Sequence, residues 1–168
     1  MNKMIPQSKI TVYAAIAGVF GLMGAIFFYS TLDYAALESA EINLIDVEII
    51  NLNETKDEAK ISVTFLITNT SDKTITVGMI DYKILIDGDE FGEGQYSAMD
   101  VALPGRAVFS PNEQIPLKST MIVEKSESNS ENFEKLVNNG IIEISAEGIL
   151  TTQTTWTVAE SEFSTKLS

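Results

Sequence analysis

The sequence contains no cysteine and no histidine among its 168 residues. Without cysteine, the protein forms no disulfide, carries no lipid on a cysteine and has no thiolate nucleophile, so any exported domain is stabilised by its core alone. Without histidine, there is no Ser-His-Asp or Cys-His pair and no Cys/His zinc site. The S-x-x-K, G-x-S-x-G and glycine-rich phosphate-loop motifs are absent as well.

These absences lead us to expect a protein that is not an enzyme and has no cofactor. Carboxylates remain, and a pair of them is enough for glycoside hydrolysis. An acidic protein, however, contains many accidental carboxylate pairs. We therefore keep catalysis as the third hypothesis, behind two non-catalytic ones.

Basic residues are scarce and unevenly placed. Two basic residues, Lys3 and Lys9, precede residue 10. All 24 acidic residues and the other nine basic residues follow residue 32. The part of the chain after residue 32 therefore has a net charge of −15. Such a surface repels nucleic acid and anionic lipid headgroups, so we expect no nucleic-acid partner.

Ile10–Leu32 is a run of 23 residues without any charge. As a helix it would be about 35 Å long, enough to cross a hydrocarbon core of about 30 Å with some tilt. The lysines before it and the acids after it predict a cytoplasmic N-terminus (residues 1–9) by the positive-inside rule. The sequence thus predicts a single-pass cell-membrane protein whose C-terminal domain is extracellular or in a periplasm-like space.

A cleaved signal peptide is the competing interpretation. Its apolar region usually has about 7 to 15 residues and ends at a small-x-small site. The run here is longer, and the nearest sites, at Ala36 and Ala40, have Tyr34 and Glu38 at the −3 position. We therefore predict that the helix is retained as a signal anchor.

Small residues recur inside the apolar run. Ala17, Gly21 and Ala25 lie on one face at four-residue spacing, which would let a second helix approach closely. This pattern favours packing against a membrane-protein partner or a second copy of the chain. The alternative is that glycine and alanine are simply frequent in membrane helices.

After an acidic linker at residues 33–40, the pattern changes to the alternation typical of strands. Within residues 59–69, Ile61, Val63, Phe65 and Ile67 alternate with polar residues, as in a strand with one buried face. The other segments with strand patterns are 41–52, 74–87, 91–99, 113–124, 141–150 and 154–162. One short helix is predicted near residues 131–139, capped by Ser128 or Ser130 and ended by Gly140. Residues 41–168 therefore predict an all-β, antiparallel sandwich of about seven strands with one helix.

Four details sharpen this prediction. A phase slip near Gly78 indicates a bulge or break, and we expect two strand pieces there. Asp87-Gly88 predicts a tight hairpin turn. Pro116 indicates an edge strand or an irregular start of the strand. In the last strand, Trp156 and Val158 are predicted to face inward.

Two kinds of polar site are conceivable in the domain. Asp87, Asp89 and Glu90 lie together at the predicted hairpin and offer oxygen ligands for calcium, although a solvated turn is the simpler interpretation. The sequons at Asn53 and Asn69 are candidates for glycosylation if the domain is outside the cell and its host glycosylates proteins.

The stretch from residue 61 to 94 also carries a family pattern. It comprises a strand ending in Thr68-Asn69, then Ile75-Thr76-Val77, the segment 82–88 (YKILIDG) and Phe91-Gly92-Glu93-Gly94. This order resembles the LEA14-like family, also called the water-stress and hypersensitive-response (WHy) domain. The resemblance covers about residues 42–158.

The resemblance implies a fibronectin-III-like (immunoglobulin-like) sandwich with one helix and a non-enzymatic role connected with stress. It brings no catalytic residues. Membrane-anchored versions of the family occur in prokaryotes, including an archaeal type. One departure is that Asn69 is followed by Thr70, where the family often has proline.

Two non-catalytic hypotheses follow. The first is a membrane-anchored LEA14-like sandwich that acts outside the cell as a stress-protective or protein-binding module. The second is an accessory or structural subunit of a membrane complex or surface appendage. A hydrophobic N-terminal helix before a β-sandwich is also similar to archaeal pilin-type subunits, but no processing site precedes the helix.

Overall fold

The structure is a computed structural model, and it describes residues 7–53, 55, 57–98, 107–138, 140, 142–155 and 157–167. A long helix, α1 (Gln7–Glu38), precedes a domain made mostly of strands. The strands are β1 (Ala40–Asn53), β2 (Glu58–Asn69), β3 (Ile75–Ile86), β4 (Asp89–Ser97), β5 (Ala107–Phe109), β6 (Gln114–Glu124), β7 (Ile144–Gln153) and β8 (Val158–Lys166). A second helix, α2 (Ser130–Val137), lies between β6 and β7.

The strands form two antiparallel sheets, which confirms the predicted all-β sandwich. One sheet has the order β1-β2-β6, and the other has the order β4-β3-β7-β8 with β5 also paired to β3. Among the described residues, β5 is the strand that periodicity did not predict, since three residues are too few to show a period. Pro116 lies in β6, an edge strand of its sheet, as predicted.

The core lies between the two sheets. All four alternating residues of β2 are buried, which confirms the strand pattern there. The Phe65 ring contacts Tyr82 edge-on from the opposite sheet, with ring centroids 5.0 Å apart, and also contacts Phe163 at 5.8 Å. Such edge-on contacts between large rings stabilise a core beyond the burial of their area.

The sheets approach each other at both of their edges. Next to β4, the Ser119 hydroxyl of β6 donates a hydrogen bond to the Gln95 carbonyl, at 2.9 Å. On the other side, the Leu44 amide of β1 donates to the Thr165 hydroxyl of β8, at 3.2 Å. Side chains of one sheet thus form hydrogen bonds with backbone groups on the edge strands of the other sheet. These bonds reduce the capacity of the edge strands to pair with another chain.

The phase slip at Gly78 is accommodated by a bulge inside one continuous strand. The register between β3 and β7 shifts between Val77 and Met79, so Val77 and Ile80 both face the core. The predicted slip is therefore confirmed, but β3 is a single strand and not two pieces. The hairpin is also confirmed: Asp87 and Gly88 have φ angles of 54° and 90° and join β3 directly to β4.

Two local predictions were wrong. The N-cap of α2 is Asn129, and not Ser128 or Ser130. The Asn129 side chain accepts the Ser126 amide and donates to the Glu124 carbonyl, so it closes the preceding turn. Val158 is 59% exposed and Ala159 is buried in its place, because β8 has the opposite phase to the predicted one. Trp156 lies outside the described residues.

The pairings give the domain two ends. The proximal end, where α1 meets the sandwich, contains the turns 69–75, 109–114 and 153–158, the last of which is described except for residue 156. The distal end contains the turn 53–58, described except for residues 54 and 56, together with the hairpin 86–89 and α2.

Candidate functional site

The surface of α1 is the largest apolar feature of the protein. Lys9–Glu38 contains 30 residues, its most apolar stretch of 18 residues has a mean hydropathy of 2.1, and the helix is long and apolar enough to cross a membrane. Every residue from Lys9 to Thr31 is exposed, and exposed apolar residues occur all round the helix. A helix that is apolar on all sides needs either a protein core or lipid around it, and the described part of the chain provides no core for this segment.

The C-terminal end of α1 has a different environment, because it belongs to the sandwich. Leu37 is completely buried and Ala36 nearly so. The hydroxyl of the buried Thr152 in β7 donates to the Leu37 carbonyl, at 3.3 Å. Carbonyl groups at a helix C-terminus lack partners within the helix, so this bond satisfies one of them from the sheet.

Two further hydroxyls complete the junction. Ser39 donates to the Ala36 carbonyl, at 2.7 Å, and Thr70 donates to the Ser39 carbonyl. Only Ser39 separates the end of α1 from the start of β1. The apolar helix is therefore joined to the sandwich by a packed connection.

This junction changes how residues 33–40 are understood. The sequence predicts a linker there, with the domain beginning at residue 41, whereas the structure continues the helix to Glu38 and buries Leu37 in the domain core. A sequence signal for a longer helix was available, because Ala36 follows Leu32 at a spacing of four and Leu37 follows Tyr34 at a spacing of three, which extends the apolar helical period. The sandwich as a folded unit thus includes the last turn of α1.

The small-residue face of α1 is open within the chain. Ala17, Gly21 and Ala25 are all exposed, and a Cβ atom added at Gly21 would meet nothing within 4 Å. Whether this face packs against another helix stays a prediction.

The hairpin residue Asp87 binds its own protein. One carboxylate oxygen accepts the Glu143 amide at 3.0 Å, and the other accepts the Lys135 ammonium of α2 at 3.2 Å. The hydrogen bond from Glu143 and the nearby Lys135 charge lower the pKa of Asp87. Asp87 therefore connects the β3–β4 hairpin to α2 and to the chain entering β7.

The other two calcium candidates do not converge with Asp87. Glu90 pairs with Lys83 at 2.8 Å, and this contact is the main cause of the raised pKa of Lys83. Asp89 is exposed at the start of β4. In the described part of the chain, no group of three or more carboxylates is arranged to hold a metal ion.

The two sequons differ in accessibility. Asn53 is partly exposed at the end of β1, at the distal end, and its glycosylation stays a prediction. Asn69 is completely buried. Its amide nitrogen donates to the carbonyls of Lys73, Phe109 and Ser110, at 2.7, 3.1 and 3.1 Å. A glycan on this nitrogen would break the bonds that hold the proximal turns together, so the folded protein has no room for one.

The outer face of the larger sheet carries a broad open concavity of about 1030 Å³. Its lining includes Asp81, Glu93, Glu147 and Glu162. Asp81 accepts a hydrogen bond from Gln95 at 2.6 Å, and Lys83 lies 3.6 Å from Glu93. These are contacts between neighbouring side chains on the outer face of a sheet, and such surface contacts contribute little to stability.

Tyr82 lies beneath this face, with its ring in the core. Burial raises the pKa of its hydroxyl, and the nearby Ser119 hydroxyl offsets part of this effect. No described group makes a hydrogen bond of full geometry to the Tyr82 oxygen. We assign the residue a packing role, since its ring contacts Phe65.

Solved structures share the fold. An X-ray structure of the structural-genomics target SoR45 is 13% identical, with a TM-score of 0.50, over 79% of this chain and 89% of that one. The solution structure of AT1g01470 from Arabidopsis thaliana is 16% identical, also with a TM-score of 0.50, over 76% of this chain and 81% of that one. At such identities the likeness shows the sandwich fold alone.

A third similar structure is described as a late embryogenesis abundant (LEA) protein, At2g46140.1. It is 12% identical, with a TM-score of 0.41, over 99% of this chain and 94% of that one, and this score is too low to carry an argument. No protein-family model and no curated protein matches the sequence.

Proposed function

We propose that this is a single-pass membrane protein with its N-terminus in the cytoplasm and its sandwich outside the cell. The observation that carries the proposal is the exposed apolar surface of α1, which is continuous with a folded domain. The distribution of charge supports the orientation, because Lys3 and Lys9 precede the uncharged run 10–32 and all acidic residues follow it.

The junction supports a retained anchor over a cleaved signal peptide. Cleavage after Ala36 would leave Leu37 as the new N-terminal residue, and cleavage after Ala40 would remove Leu37 altogether. Either product would lose part of the packing around a completely buried side chain. A signal peptide that is removed is not expected to supply core residues to the mature domain.

Orientation is testable by labelling, since the chain has no cysteine. Ser8→Cys and Thr55→Cys are made separately and exposed to a membrane-impermeant maleimide on intact cells. We expect labelling of the Thr55 variant, and labelling of the Ser8 variant only after permeabilisation. The reverse pattern would contradict the orientation.

The domain, in this proposal, is a non-catalytic LEA14-like module that protects or binds other proteins under stress. It is supported by the sequence pattern from residue 61 to 94, by the sandwich fold and by the absence of histidine and cysteine. Vesicles carrying the full chain are dried and rehydrated with a labile enzyme on the domain's side. Better enzyme survival than with an equally acidic anchored protein is expected, and equal survival would contradict a protective role.

A second candidate is an accessory subunit of a membrane complex or surface appendage. The one-residue connection between α1 and β1 favours it, because a domain joined this way is held at a constant height beside a neighbouring protein. Purification in mild detergent followed by mass spectrometry tests it. Specific co-purification of a second membrane protein is expected, and recovery of the monomer alone would contradict it.

A further inference from the structure

The proximal end of the sandwich lies very near the end of the apolar helix. Leu32 is the last residue of the uncharged run, and Leu37 is already inside the domain core. Five residues of helix cover about 7.5 Å. The headgroup layer on each side of a bilayer is about 5 to 7.5 Å thick, so a sandwich that begins this soon after the span has its proximal turns at the outer edge of the headgroup layer.

The packed junction prevents the domain from moving away from this depth. A flexible linker of the eight residues 33–40 would let the sandwich move about 15 Å from the end of the span. Here the Leu37 carbonyl is bonded to Thr152 and the Ser39 carbonyl to Thr70. Thr70 and Thr152 belong to, or adjoin, two of the three turns at the proximal end, so these turns move together with the helix.

The exposed residues of the proximal turns have the chemistry that a headgroup layer accepts. Most are uncharged hydrogen-bonding residues: Thr70, Thr74, Ser110, Asn112, Gln114 and Thr155. Hydroxyl and amide groups can donate to phosphate and ester oxygens. Exposed apolar or aromatic side chains lie beside them at Tyr34, Val108 and Val158, and tyrosine is enriched at membrane interfaces.

The distal end of the sandwich is more strongly acidic than the proximal end. The turns and strand ends of the distal end carry many carboxylates, among them Asp87, Asp89, Glu124, Glu127, Glu131 and Glu143. They outnumber the described lysines that pair with carboxylates there, Lys125, Lys135 and Lys166. The described carboxylates of the proximal end are fewer: Glu38, Glu41, Asp72 and Glu113, with Lys73 adjacent to Asp72. The Glu113 carboxylate is engaged with the Ser110 amide, at 2.7 Å. A bilayer with any anionic lipid therefore repels the distal end more strongly than the proximal one.

We propose that the proximal turns form a lipid-contact surface, by which the sandwich stands on the bilayer with its acidic end pointing away. This inference rests on the proposed anchoring. It adds that the turns 69–75, 109–114 and 153–158 contact lipid headgroups, whereas a domain on a flexible tether would not contact them.

The test uses the full chain in phosphatidylcholine vesicles that contain a phospholipid with a nitroxide on its headgroup. Thr155→Cys, in the proximal turn 153–158, is labelled with an environment-sensitive fluorophore. Thr55→Cys, in the distal turn 53–58, is the matched control, since both threonines are exposed. Flotation and circular dichroism first establish that each variant is vesicle-bound and folded.

The fluorophore at position 155 is expected to lose most of its emission to the nitroxide lipid, and that at position 55 none. A chain that floats with the vesicles but is quenched at neither position would overturn the lipid-contact surface and leave the anchor intact. Equal quenching at both positions would also overturn it, because the domain would then lie on its side. A chain that does not float would contradict the anchoring itself.

Discussion

Replacing Leu37 by alanine tests whether the end of the apolar helix is part of the folded domain. The Leu37 side chain is 0% exposed, and the change removes three carbon atoms, worth about 2.4 kcal/mol of transfer free energy. The Leu37 carbonyl remains bonded to Thr152, which limits how far the helix can collapse into the space. With the cavity included, we expect a loss of about 3 to 4 kcal/mol in the free energy of unfolding.

The assay is equilibrium unfolding of the full chain in a mild detergent, followed by the β-sheet signal in circular dichroism. For a domain of this size, the expected loss corresponds to a fall of about 10 to 15 °C in the melting temperature. Leu22→Ala is the matched control, because it makes the same chemical change on the same helix at a side chain that is 66% exposed. It should leave the unfolding of the sandwich unchanged.

If Leu37→Ala unfolded within about 0.5 kcal/mol of the unmodified chain, a difference typical of surface substitutions, Leu37 would not be part of the domain core. In that case the helix would be a separate element that merely rests against the sheets. The lipid-contact surface would then lose its mechanical basis, since the turns would no longer move with the helix.

Three more predictions concern the sandwich itself. Asn69→Ala should lose about 3 kcal/mol of unfolding free energy. It removes two N–H donors shared among three carbonyls and an oxygen that accepts the Ser71 amide and hydroxyl, and hydrogen bonds of this kind are worth about 1 kcal/mol each. Chemical denaturation checks this, and an unchanged midpoint would contradict it. Gly148→Ala should lose at least about 3 kcal/mol, because a Cβ atom there would lie 2.0 Å from the Asp81 carbonyl oxygen. Gly78→Ala, whose Cβ meets nothing nearer than 3.8 Å, is its control in the same melting experiment. Because the pKa of Asp87 is lowered in the folded protein, its stabilising effect is present above the unfolded-state pKa and is lost as the pH falls through the folded-state pKa. Asp87→Asn should therefore be less stable than the unmodified chain at pH 7, and the two stabilities should converge in acid. Parallel profiles of stability against pH would show that Asp87 does not stabilise the fold through its charge.

The parts of the fold that local pattern determines were predictable. Alternation in β2 identified its buried face, and the parity change at Gly78 identified the bulge. Asp87-Gly88 gave the hairpin because those residues tolerate the positive φ angles that the turn requires. In each case, neighbours in sequence carry the whole signal.

The remaining features depend on contacts between distant residues. Val158 and Ala159 could not be assigned to faces from a short polar strand, because pairing with β7 decides the phase. The burial of Asn69 depends on carbonyls some 40 positions away, and that of Leu37 on β7 and β8 near the C-terminus. A polar asparagine in a sequon and a leucine among acidic residues are both typical of exposed positions, so only the tertiary structure identifies them as parts of the core.

The central claim is that α1 is retained and continues into the sandwich as one structural unit. Its most direct test is the intact mass of the protein recovered from the membranes of the cells that make it. If α1 is retained, the recovered chain is membrane-bound and still contains the whole helix, from before residue 10 through Glu38. Recovery of a water-soluble chain that begins after Ala36 or Ala40 would contradict it.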